Sequence, residues 1–564
     1  MPATITIASG ATWEEVAADR QRHRDISLAS FKPSLLNLPA SSIPADATAI
    51  PRSILTAQDV EITEKNVEDL VLMLASGRWS AKTVVQAFMR RAALAQQLTN
   101  CVTELLPEQA LKRAAELDDH LAATRKPIGP LHGVPISVKE HIGMKGLDLN
   151  AGFVGWVGRV AEEDAHILQI LWAAGAVFYV RTTQPQTLMH LETSNNLYGT
   201  TVNPYNTTLT AGGSSGGEGA IITLRGSILG IGGGSIRSPA ANNGVFGFKP
   251  TALRLPVGGW SATMTGADHI VPTIGPLSTS LEGVLLFVRT ILHARPWLKE
   301  PSLVPIPWKD EVQLGEEGKG IKLRIGVIWD DEVVRPHPPV VAALSQVVEK
   351  LRGSNEVEVM DWQCYKHDLA WDIIAKLYFC DGGAEEKAAI DASGEPLRPL
   401  SKWILEENPH VQEHTISTLW QAHRERDAYR ASYAAVWNER GVDVILCPVG
   451  PGVAPKLDTS RYWGYTAQWN LLNYPAVVFP TGIKVGRDTP GVGTEDLDAH
   501  EYPADYKPMS SADAYNYGLW KEHGVKGYAG APVSLQLVGR MYEDEKLLRA
   551  LDILLDAAGL AKTC

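Results

Sequence analysis

The fold of this chain is decided by two stretches that are dense in glycine and serine: Ala211 to Ala220 (AGGSSGGEGA) and Gly230 to Ala240 (GIGGGSIRSPA). Glycine tolerates a positive φ and lets the backbone approach a ligand closely, so several N–H groups can converge on one point. Convergent N–H groups bind anions, either a phosphate or the oxyanion that develops when a carbonyl is attacked. The two stretches therefore predict a site for one of these two charges.

A nucleotide-binding site is disfavoured by the residues that follow these glycines. A P-loop places Lys and then Ser or Thr directly after its last glycine, whereas Gly217 is followed by Glu218, whose charge repels phosphate. The dinucleotide fingerprint also fails, because Ser235 stands at the third glycine position after Gly230 and Gly232. The oxyanion interpretation is favoured.

Residues 212–216 (GGSSG) match the G-x-S-x-G nucleophile elbow of α/β hydrolases. That elbow follows a buried strand directly, because the strand holds the serine at the top of the sheet. The preceding residues 203–210 (NPYNTTLT) are polar and turn-forming. The match is therefore interpreted as accidental.

Lys139 closes an apolar run, Val134 to Val138, that is typical of a buried strand. A lysine has an ordinary pKa of about 10.4, so a neutral amine at physiological pH requires desolvation worth about 4.6 kcal/mol. A neutral buried lysine is a base. The alternative is that Lys139 pairs with Glu140 or another carboxylate at the surface. His132, in the turn GPLHGVP, is interpreted as structural.

The chain resembles the amidase signature family through three ordered blocks: GVPISVKE (133–140), GGSSGGEGA (212–220) and GGSIRSPAANNGVFGFKPT (233–251). The similarity extends over nearly the whole chain through AGAVFYVRTTQPQTLM, RTILHARPWL and GAPVSLQLVGRMYEDEKLL. Within the family the chain is most similar to fungal acetamidase-like general amidases, for example in KPIGPLHGVPIS and RYWGYTAQWNLLNYPAVVFP. The resemblance implies an amidohydrolase that acts on linear amides.

This resemblance implies a catalytic set of Lys139, Ser214 and Ser235. Ser235 is the expected nucleophile that forms an acyl-enzyme, and Ser214 is the bridging serine, which family members hold by a cis peptide bond. Neutral Lys139 accepts a proton from Ser214 while Ser214 accepts one from Ser235. The reverse relay protonates the departing amine, and water then hydrolyses the acyl-enzyme.

The resemblance also implies the groups that bind the substrate. Each N–H donor of an oxyanion hole is worth about 2.7–4 kcal/mol in the transition state. The family's hole corresponds to the backbone N–H groups of Gly232, Gly233, Gly234 and Ser235. The backbone carbonyl of Leu188 falls where family members contact the substrate, as does Ser214. For Leu188 the alternative is a loop that only packs on the sheet.

Two tryptophans, Trp463 and Trp469, stand in the segment RYWGYTAQWN. The family's arrangement would place them in the wall of an acyl pocket. A tryptophan buries a large apolar area in a core just as well. Both interpretations stay open from the sequence.

One position departs from the family pattern. Four residues before the nucleophile, family members carry Asp within a T-D-I-G-G-S run, whereas this chain has Ile231 between Gly230 and Gly232. The resemblance implies that this acid helps to hold the arginine two residues after the nucleophile, here Arg237. Without the acid, we expect Arg237 to find another partner such as a backbone carbonyl.

The expected fold is α/β, a single amidase-signature domain with a large mixed β-sheet that helices cover on both faces. The resemblance implies this fold, and the helix, glycine, strand order at residues 164–180 agrees with it. Apolar spacing predicts helices over 80–98 and 108–123. Short apolar runs predict strands at 323–328, 442–447 and 533–538.

Two segments differ in composition from the rest. Residues 1–60 are rich in Pro, Ser and Ala and are predicted to form an N-terminal arm, with residues 61–564 as the catalytic domain. Residues near 485–526 are polar, acidic and turn-rich. They are predicted to form a loop insertion between two strands.

Composition argues against several classes of partner. The 564-residue chain carries 52 Lys and Arg against 64 Asp and Glu, a net charge of −12, so it lacks the basic face that nucleic acid requires. No apolar segment approaches the roughly 18 residues of a membrane-spanning helix, and no secretory signal is predicted. The five cysteines form no C-x-x-C pair, which indicates reduced thiols and a cytoplasmic protein.

The predicted activity is hydrolysis of carboxylic amides to the acid and ammonia or an amine, without a metal or an organic cofactor. An esterase or carbamate hydrolase of the same mechanism is the nearest alternative. Two others are an amidotransferase-type subunit that supplies ammonia to a charged transfer RNA and a catalytically silent scaffold. The acidic balance disfavours the subunit, and the presence of Lys139, Ser214 and Ser235 together disfavours the scaffold. A homodimer is compatible with the sequence.

Overall fold

A mixed sheet of 11 strands runs through the centre of the computed structural model. The structure describes residues 10–31, 38–39, 43–312, 314, 322–486 and 501–564. In chain order the strands are β1 (Val102–Leu105), β2 (Pro135–Lys139), β3 (Val177–Thr182), β4 (Ser194–Asn195), β5 (Gly199–Thr200), β6 (Val202–Asn203), β7 (Asn206–Thr210), β8 (Leu229–Gly233), β9 (Phe246–Lys249), β10 (Ile274–Ser278), β11 (Leu323–Val327), β12 (Val357–Asp361), β13 (Val444–Pro448), β14 (Ala476–Lys484) and β15 (Pro532–Val538). Strands β4 with β5 and β6 with β7 form separate two-stranded ribbons.

The order across the large sheet is β1-β3-β2-β8-β10-β9-β14-β15-β13-β11-β12. Strands β3, β2 and β8 pair parallel, as do β13, β11 and β12. The other neighbours pair antiparallel. Along β13, Val444 and Leu446 enter one core cluster, whereas Ile445 and Cys447 enter another. Both faces of the sheet are therefore buried, and the predicted single-domain α/β fold with a mixed sheet is confirmed.

Helices pack on both faces of this sheet. In chain order they are α1 (Trp13–Ser30), α2 (Ile50–Ile54), α3 (Ala57–Thr63), α4 (Val67–Ala75), α5 (Ala81–Thr99), α6 (Pro107–Thr124), α7 (His166–Ala173), α8 (Gly216–Thr223), α9 (Arg237–Asn243), α10 (Leu281–His293), α11 (Pro338–Arg352), α12 (His367–Tyr378), α13 (Ala384–Asp391), α14 (Pro399–Lys402), α15 (Ile416–Arg440), α16 (Gly464–Leu471), α17 (Ser511–Gly527) and α18 (Asp544–Ala558). Short 3₁₀ turns lie at Val154–Trp156 and Pro296–Leu298, and a π turn at Trp403–Glu407.

Helix α5 shows why the local predictions agree with the structure. Its N-cap Ser80 accepts a hydrogen bond from the Thr83 N–H, and Asn100 ends the helix in the left-handed region at φ 56°. Helices α6 and α7 and strands β11, β13 and β15 also lie within a few residues of their predicted positions. Hydrophobic period and capping residues act over a few turns, which is why the sequence is enough to locate these elements.

The described part of the N-terminal segment contacts the edge of the sheet. Helix α1 packs against β1, where the Leu105 N–H donates to Ser27 Oγ at 3.0 Å and His23 Nε2 lies 3.1 Å from Glu104 Oε2. Residues 1–9, 32–37 and 40–42 of the predicted arm lie outside the described residues. The division at residue 60 stays a prediction.

The predicted insertion lies between β14 and β15, which pair directly as antiparallel neighbours. Residues 487–500 of it lie outside the described residues. From residue 511 to residue 527 the chain forms α17, whose N-cap Ser510 accepts from the Asp513 N–H. The prediction of a loop through residue 526 was therefore wrong for residues 511–526, because the capping Ser510 begins a helix there.

Three segments bring the chemistry-bearing residues to one place. Strand β2 ends at Lys139, and its parallel neighbour β8 ends at Gly233, two residues before Ser235. Helix α8 begins at Gly216, directly after Ser214 and Ser215. The ends of two adjacent strands and the start of one helix therefore form the site.

Candidate active site

Lys139 is fully buried, with 0% of its surface exposed. Its amine lies 2.6 Å from Ser214 Oγ and donates to the Gly233 carbonyl at 2.8 Å. Burial lowers the pKa of this amine well below its usual value, while the nearby carboxyls of Glu218 and Glu140 act in the opposite direction. The predicted buried lysine is therefore present, and it meets the serine that the resemblance named as its partner.

The alternative of a surface ion pair with Glu140 is wrong. The Glu140 carboxylate is also buried and accepts the N–H groups of Asn150 at 2.8 Å and Ala151 at 3.0 Å. It also accepts from Gln184 Nε2 at 2.6 Å. These donors hold Glu140 away from the Lys139 amine, and burial still raises its pKa to about 7.

Ser214 lies in a tight turn that only glycine can precede. The peptide bond between Gly213 and Ser214 is cis. A Cβ on Gly213 would lie 2.3 Å from the His190 carbonyl oxygen and 2.5 Å from the Glu192 nitrogen. Backbone packed this closely on both sides leaves no room for a side chain, which accounts for the glycine in the first dense stretch.

Ser235 follows β8 and lies at the mouth of the site, where it is only partly buried. Within the described ranges, no hydrogen bond joins its hydroxyl to Ser214. Gly232 and Gly233 belong to the paired strand β8, and the other two predicted oxyanion donors also have partners: the Gly234 N–H donates to the Thr273 carbonyl at 2.9 Å, and the Ser235 N–H donates to the Gly233 carbonyl at 3.0 Å. Ligand binding through these two groups requires an exchange of partner.

The glycine loop itself has an unusual backbone at one position. Gly234 has φ +80°, and a Cβ there would meet no atom within 4 Å. Conformation rather than space therefore requires glycine at this residue. The neighbouring Gly233 is different, because its Cβ would lie 2.1 Å from His141 Nε2.

A cavity of about 180 Å³ joins these groups. It is far larger than the roughly 10–15 Å³ that one water needs. Its walls include Ser214, Ser235, Gly233, Gly234 and Leu188. Leu188 is in the left-handed region at φ 59°, next to Thr187 at φ 69°. The predicted serines, two of the three predicted glycines and Leu188 thus face one space, while Gly232 lies behind it in β8.

Residues 83–548 match the model of a family described as Amidase. The chain belongs to the amidase family. It is 37% identical to the acetamidase of Emericella nidulans, over 95% of this chain and 96% of that protein. It is 36% identical to the acetamidase of Aspergillus oryzae, over 95% of this chain and 97% of that protein. A solved structure of fatty acid amide hydrolase matches with a TM-score of 0.88 and 33% identity, over 97% of this chain and 95% of that chain. The predicted family is confirmed, and the enzyme is an amide hydrolase of it.

The two tryptophans of this amidase have different places. Trp463 lines the cavity, where its ring contacts Tyr378 at a centroid distance of 5.9 Å. Trp469 is 1% exposed and packs in the core against Tyr433. The cavity-wall interpretation therefore holds for Trp463, and the core interpretation holds for Trp469.

Arg237 finds a partner that was not expected. It is 5% exposed, and its Nη2 donates to the side-chain oxygen of Asn470 at 2.6 Å rather than to a backbone carbonyl. Ile231 is a fully buried strand residue opposite Pro276 of β10. Arg237 therefore has another partner, as expected, but this partner is a side-chain amide rather than a backbone carbonyl, because α16 brings Asn470 to Arg237 across 233 residues of sequence.

The sequence did not reveal three further residues of this site. Glu218 is fully buried, and its carboxylate accepts the hydroxyls of Ser137 at 2.5 Å and Thr182 at 2.6 Å. Burial raises its pKa to about 7. The second residue, Lys249, lines the cavity. A signal for Glu218 was its position four residues after Ser214, which places it on the first turn of α8 facing the site.

His141 is the third of these residues and lies two positions after Lys139. Its Nδ1 lies 2.9 Å from the Ser261 carbonyl oxygen, so Nδ1 carries the proton in the neutral ring. Burial lowers the pKa of His141 well below its usual range, and Nε2 has no hydrogen-bond partner in the described part of the chain. The ring stacks on Trp260 in the cavity wall.

The remaining predictions concern residues away from the cavity. His132 accepts the Ile128 N–H through Nδ1 at 3.1 Å and lies outside the cavity wall, so its structural role is confirmed. All five cysteines are free thiols. None of the described helices combines the length and the apolar character needed to cross a membrane.

Proposed function

We propose that this amidase hydrolyses linear carboxylic amides to the acid and ammonia or an amine, as an acylamide amidohydrolase, through an acyl-enzyme on Ser235. Lys139 and Ser214 are the base and the bridging serine. The observation that carries the proposal is the 2.6 Å separation of Lys139 Nζ and Ser214 Oγ in a fully buried pair. Residues 61–564 form the catalytic domain in this proposal, in keeping with the family match over 83–548.

The protonation state of Lys139 supports a role as base. A neutral amine has two hydrogens and one lone pair, so it can donate to the Gly233 carbonyl and still accept the Ser214 proton. Burial lowers the pKa of the amine, which favours this neutral form near physiological pH. No acid within the described residues forms an ion pair with Lys139 that would hold it charged.

The acylation step follows from these groups. Ser235 Oγ bonds to the amide carbon as its proton passes to Ser214 Oγ, and the Ser214 proton passes to Lys139 Nζ. The carbonyl π electrons move to oxygen. Collapse of this oxyanion breaks the C–N bond, and the proton returns through Ser214 to the leaving nitrogen. Water then attacks the ester by the same relay, which frees the acid and restores Ser235.

When substrate binds, the Ser235 hydroxyl and the partners of the oxyanion N–H groups must change. The Ser235 hydroxyl must turn to donate to Ser214, a contact that often tightens only in the substrate complex. The N–H groups of Gly232, Gly233, Gly234 and Ser235 are the proposed oxyanion donors. The Leu188 carbonyl is the proposed acceptor for the substrate amide, since Leu188 lines the cavity and its carbonyl accepts no hydrogen bond from the described chain.

Labelling with a fluorophosphonate tests the nucleophile. We expect the wild-type protein to be modified on Ser235, as located by mass spectrometry of peptides, and Ser235→Ala to resist modification. Ser238→Ala is a matched control, because Ser238 lines the same cavity on α9. Full labelling of Ser235→Ala would contradict the assignment.

The release of ammonia from acetamide and benzamide tests the reaction itself. An ester or carbamate substrate is the second candidate, because the same acyl-enzyme handles these carbonyls. Turnover of a nitrophenyl ester together with both amides supports the proposal. Turnover of the ester alone would assign an esterase, and no turnover of any of them would favour the silent scaffold.

A further inference from the structure

Arg237 is a buried cation without an acid. Burial lowers its pKa to about 10, so the guanidinium is still charged at physiological pH. Its one hydrogen-bond partner in the described chain is the neutral amide of Asn470. Arg237 Nη1 is buried and has no hydrogen-bond partner there. A buried charge of this kind is costly unless it is paired, so its persistence calls for a counter-ion.

Two further donors lie beside this arginine. Asn470 donates through Nδ2 to the Tyr378 hydroxyl at 3.0 Å, so the Tyr378 hydrogen is left to donate elsewhere. Tyr378 in turn contacts the ring of Trp463, whose Nε1–H is buried and has no partner within the described residues. Burial raises the pKa of Tyr378 to about 12, which keeps its hydroxyl protonated.

The residues that carry these donors belong to the wall of the cavity that Ser235 also lines. Arg237, Tyr378 and Trp463 all line it, whereas none of its described lining residues is Asp or Glu. Lys249 also lines the cavity, but its amine donates to the Tyr474 carbonyl at 2.9 Å, and burial lowers its pKa well below the usual value. The wall thus presents several donors and no carboxylate that could accept from them. A group that only accepts, and that carries negative charge, complements this wall.

A carboxylate is the group that fits these donors best. It accepts hydrogen bonds on two oxygens, and a guanidinium binds it with a matching fork of N–H groups. A phosphate would also accept, but among the described lining residues Arg237 is the one arginine that could neutralise its charge.

We propose that the substrates of this enzyme carry a carboxylate in addition to the amide, as in the monoamides of dicarboxylic acids, and that Arg237 binds this carboxylate while Ser235 attacks the amide. The proposal rests on the proposed function, because it names the substrate class of the same site. Tyr378 and Trp463 complete the carboxylate site. Arg237 is in this view a specificity-determining residue.

Paired substrates test the preference. Succinamate, glutaramate and adipamate are compared with butanamide, pentanamide and hexanamide, which have the same chain lengths without the charge. We expect at least one acid to exceed its neutral partner at least about tenfold in kcat/KM, which corresponds to about 1.4 kcal/mol of transition-state binding. Equal values for every pair would overturn the proposal.

Variants locate the preference. Arg237→Met removes the charge, and we expect it to abolish the acid preference. Asn470→Asp supplies Arg237 with an acid from the chain, and we expect it to lower the preference by at least about fivefold through competition for the guanidinium. Arg430→Met is the matched control, because Arg430 donates to the Leu471 carbonyl and lies outside the described cavity wall. An acid preference that survives both Arg237→Met and Asn470→Asp would contradict the assignment.

Binding of the product diacids gives a readout that does not depend on catalysis. A ligand that binds only the folded protein raises the melting temperature. We expect succinate or glutarate to raise the melting temperature of the wild type and not of Arg237→Met. A rise in the melting temperature of the wild type alone, without turnover of any amide, would contradict the proposed function and still support the carboxylate site. Turnover of the neutral amides alone, with no effect of either diacid, would sink the carboxylate site and leave the proposed function standing.

Discussion

Lys139 and Lys249 are two lysines that the fold buries in nearly the same way. Each is the last residue of a strand of the large sheet, β2 and β9, and they are 0% and 4% exposed. Burial lowers the pKa of both amines well below the usual value. By burial alone, either lysine would qualify as a base.

The atoms around the two amines are different. Lys139 Nζ lies 2.6 Å from a hydroxyl, that of Ser214, whereas Lys249 Nζ donates to the Tyr474 carbonyl at 2.9 Å. A carbonyl has no proton to transfer, and a hydroxyl has one. Burial is therefore not enough to define a catalytic lysine, because the amine must also contact a group that can give up a proton.

The charges around the two amines differ as well. The carboxyls of Glu218 and Glu140 raise the pKa of Lys139 against the effect of burial. Arg237 and Arg430 lower the pKa of Lys249 further, while the Asp544 carboxyl acts in the opposite direction. Two carboxyls thus favour a proton on Lys139, whereas cations and a carboxyl act against each other at Lys249.

Replacing each lysine by methionine gives the largest expected contrast. We expect Lys139→Met to lower kcat for acetamide by about 10²–10⁴, the usual contribution of general acid–base catalysis. We expect Lys249→Met to lower it less than about tenfold, because Lys249 contacts no proton donor of the relay. Steady-state ammonia release measures both, with circular dichroism as the control for folding. Equal losses of kcat in the two variants would show that contact with a hydroxyl does not distinguish the two lysines.

The identity of the leaving group sharpens the role of Lys139. We expect Lys139→Ala to lose at least about tenfold more activity on an amide than on a nitrophenyl ester with the same acyl group, because an amine cannot leave without a proton. The parallel Lys249→Ala variant should lower both substrates alike. Rates of ammonia and nitrophenol release are compared for this purpose, and equal losses on both substrates in Lys139→Ala would argue against the relay.

The pH dependence of kcat/KM tests the charges near Lys139. In the proposed relay activity needs the neutral amine, so we expect it to rise with pH through the folded-state pKa of Lys139 and then to level off. The Glu218 carboxylate raises that pKa, so Glu218→Gln should move the rise to lower pH. Lys249→Met should leave the pH of the rise unchanged, because it removes neither of the carboxyls that raise the pKa of Lys139. An unchanged rise in Glu218→Gln would show that its charge does not act on Lys139.

Stability against pH gives the smallest expected effect. A lysine whose folded pKa is lowered binds fewer protons in the folded chain than in the unfolded chain, so its presence makes the unfolding free energy decrease as pH falls from about 10 toward neutrality. Lys249→Met removes this term. The difference in unfolding free energy between variant and wild type, from urea titrations at several pH values, should therefore move in favour of the variant as pH falls. A constant difference would mean that Lys249 keeps its ordinary pKa in the fold.

The helices and strands were predicted from local patterns, whereas the catalytic set was predicted from a family resemblance. Helix α5 could be located from an apolar period and the capping residue Ser80, which are local features. Lys139, Ser214 and Ser235 came from ordered motifs that resemble a family. The sequence showed Glu218 only as an argument against phosphate, and its place beside Lys139 depends on how α8 packs against β2.

Other outcomes depended on packing between distant segments. Trp463 and Trp469 lie six residues apart, yet one lines the cavity and the other lies in the core. Asn470 pairs with Arg237 across 233 residues. No local pattern distinguishes such cases, because the partners belong to elements that meet only in the folded chain.

The sequence by itself determined the helices and strands that have a clear apolar pattern or cap, the glycines that allow close backbone approach, and the family. Only the tertiary structure decided which lysine meets a hydroxyl, which arginine is left without an acid, and which residues share the cavity. The physical reason is the distance over which each kind of interaction acts. Hydrophobic period and capping act over a few residues, whereas desolvation and Coulomb interactions act through space on whatever the fold brings near, and these set the pKa values and the charge of the site.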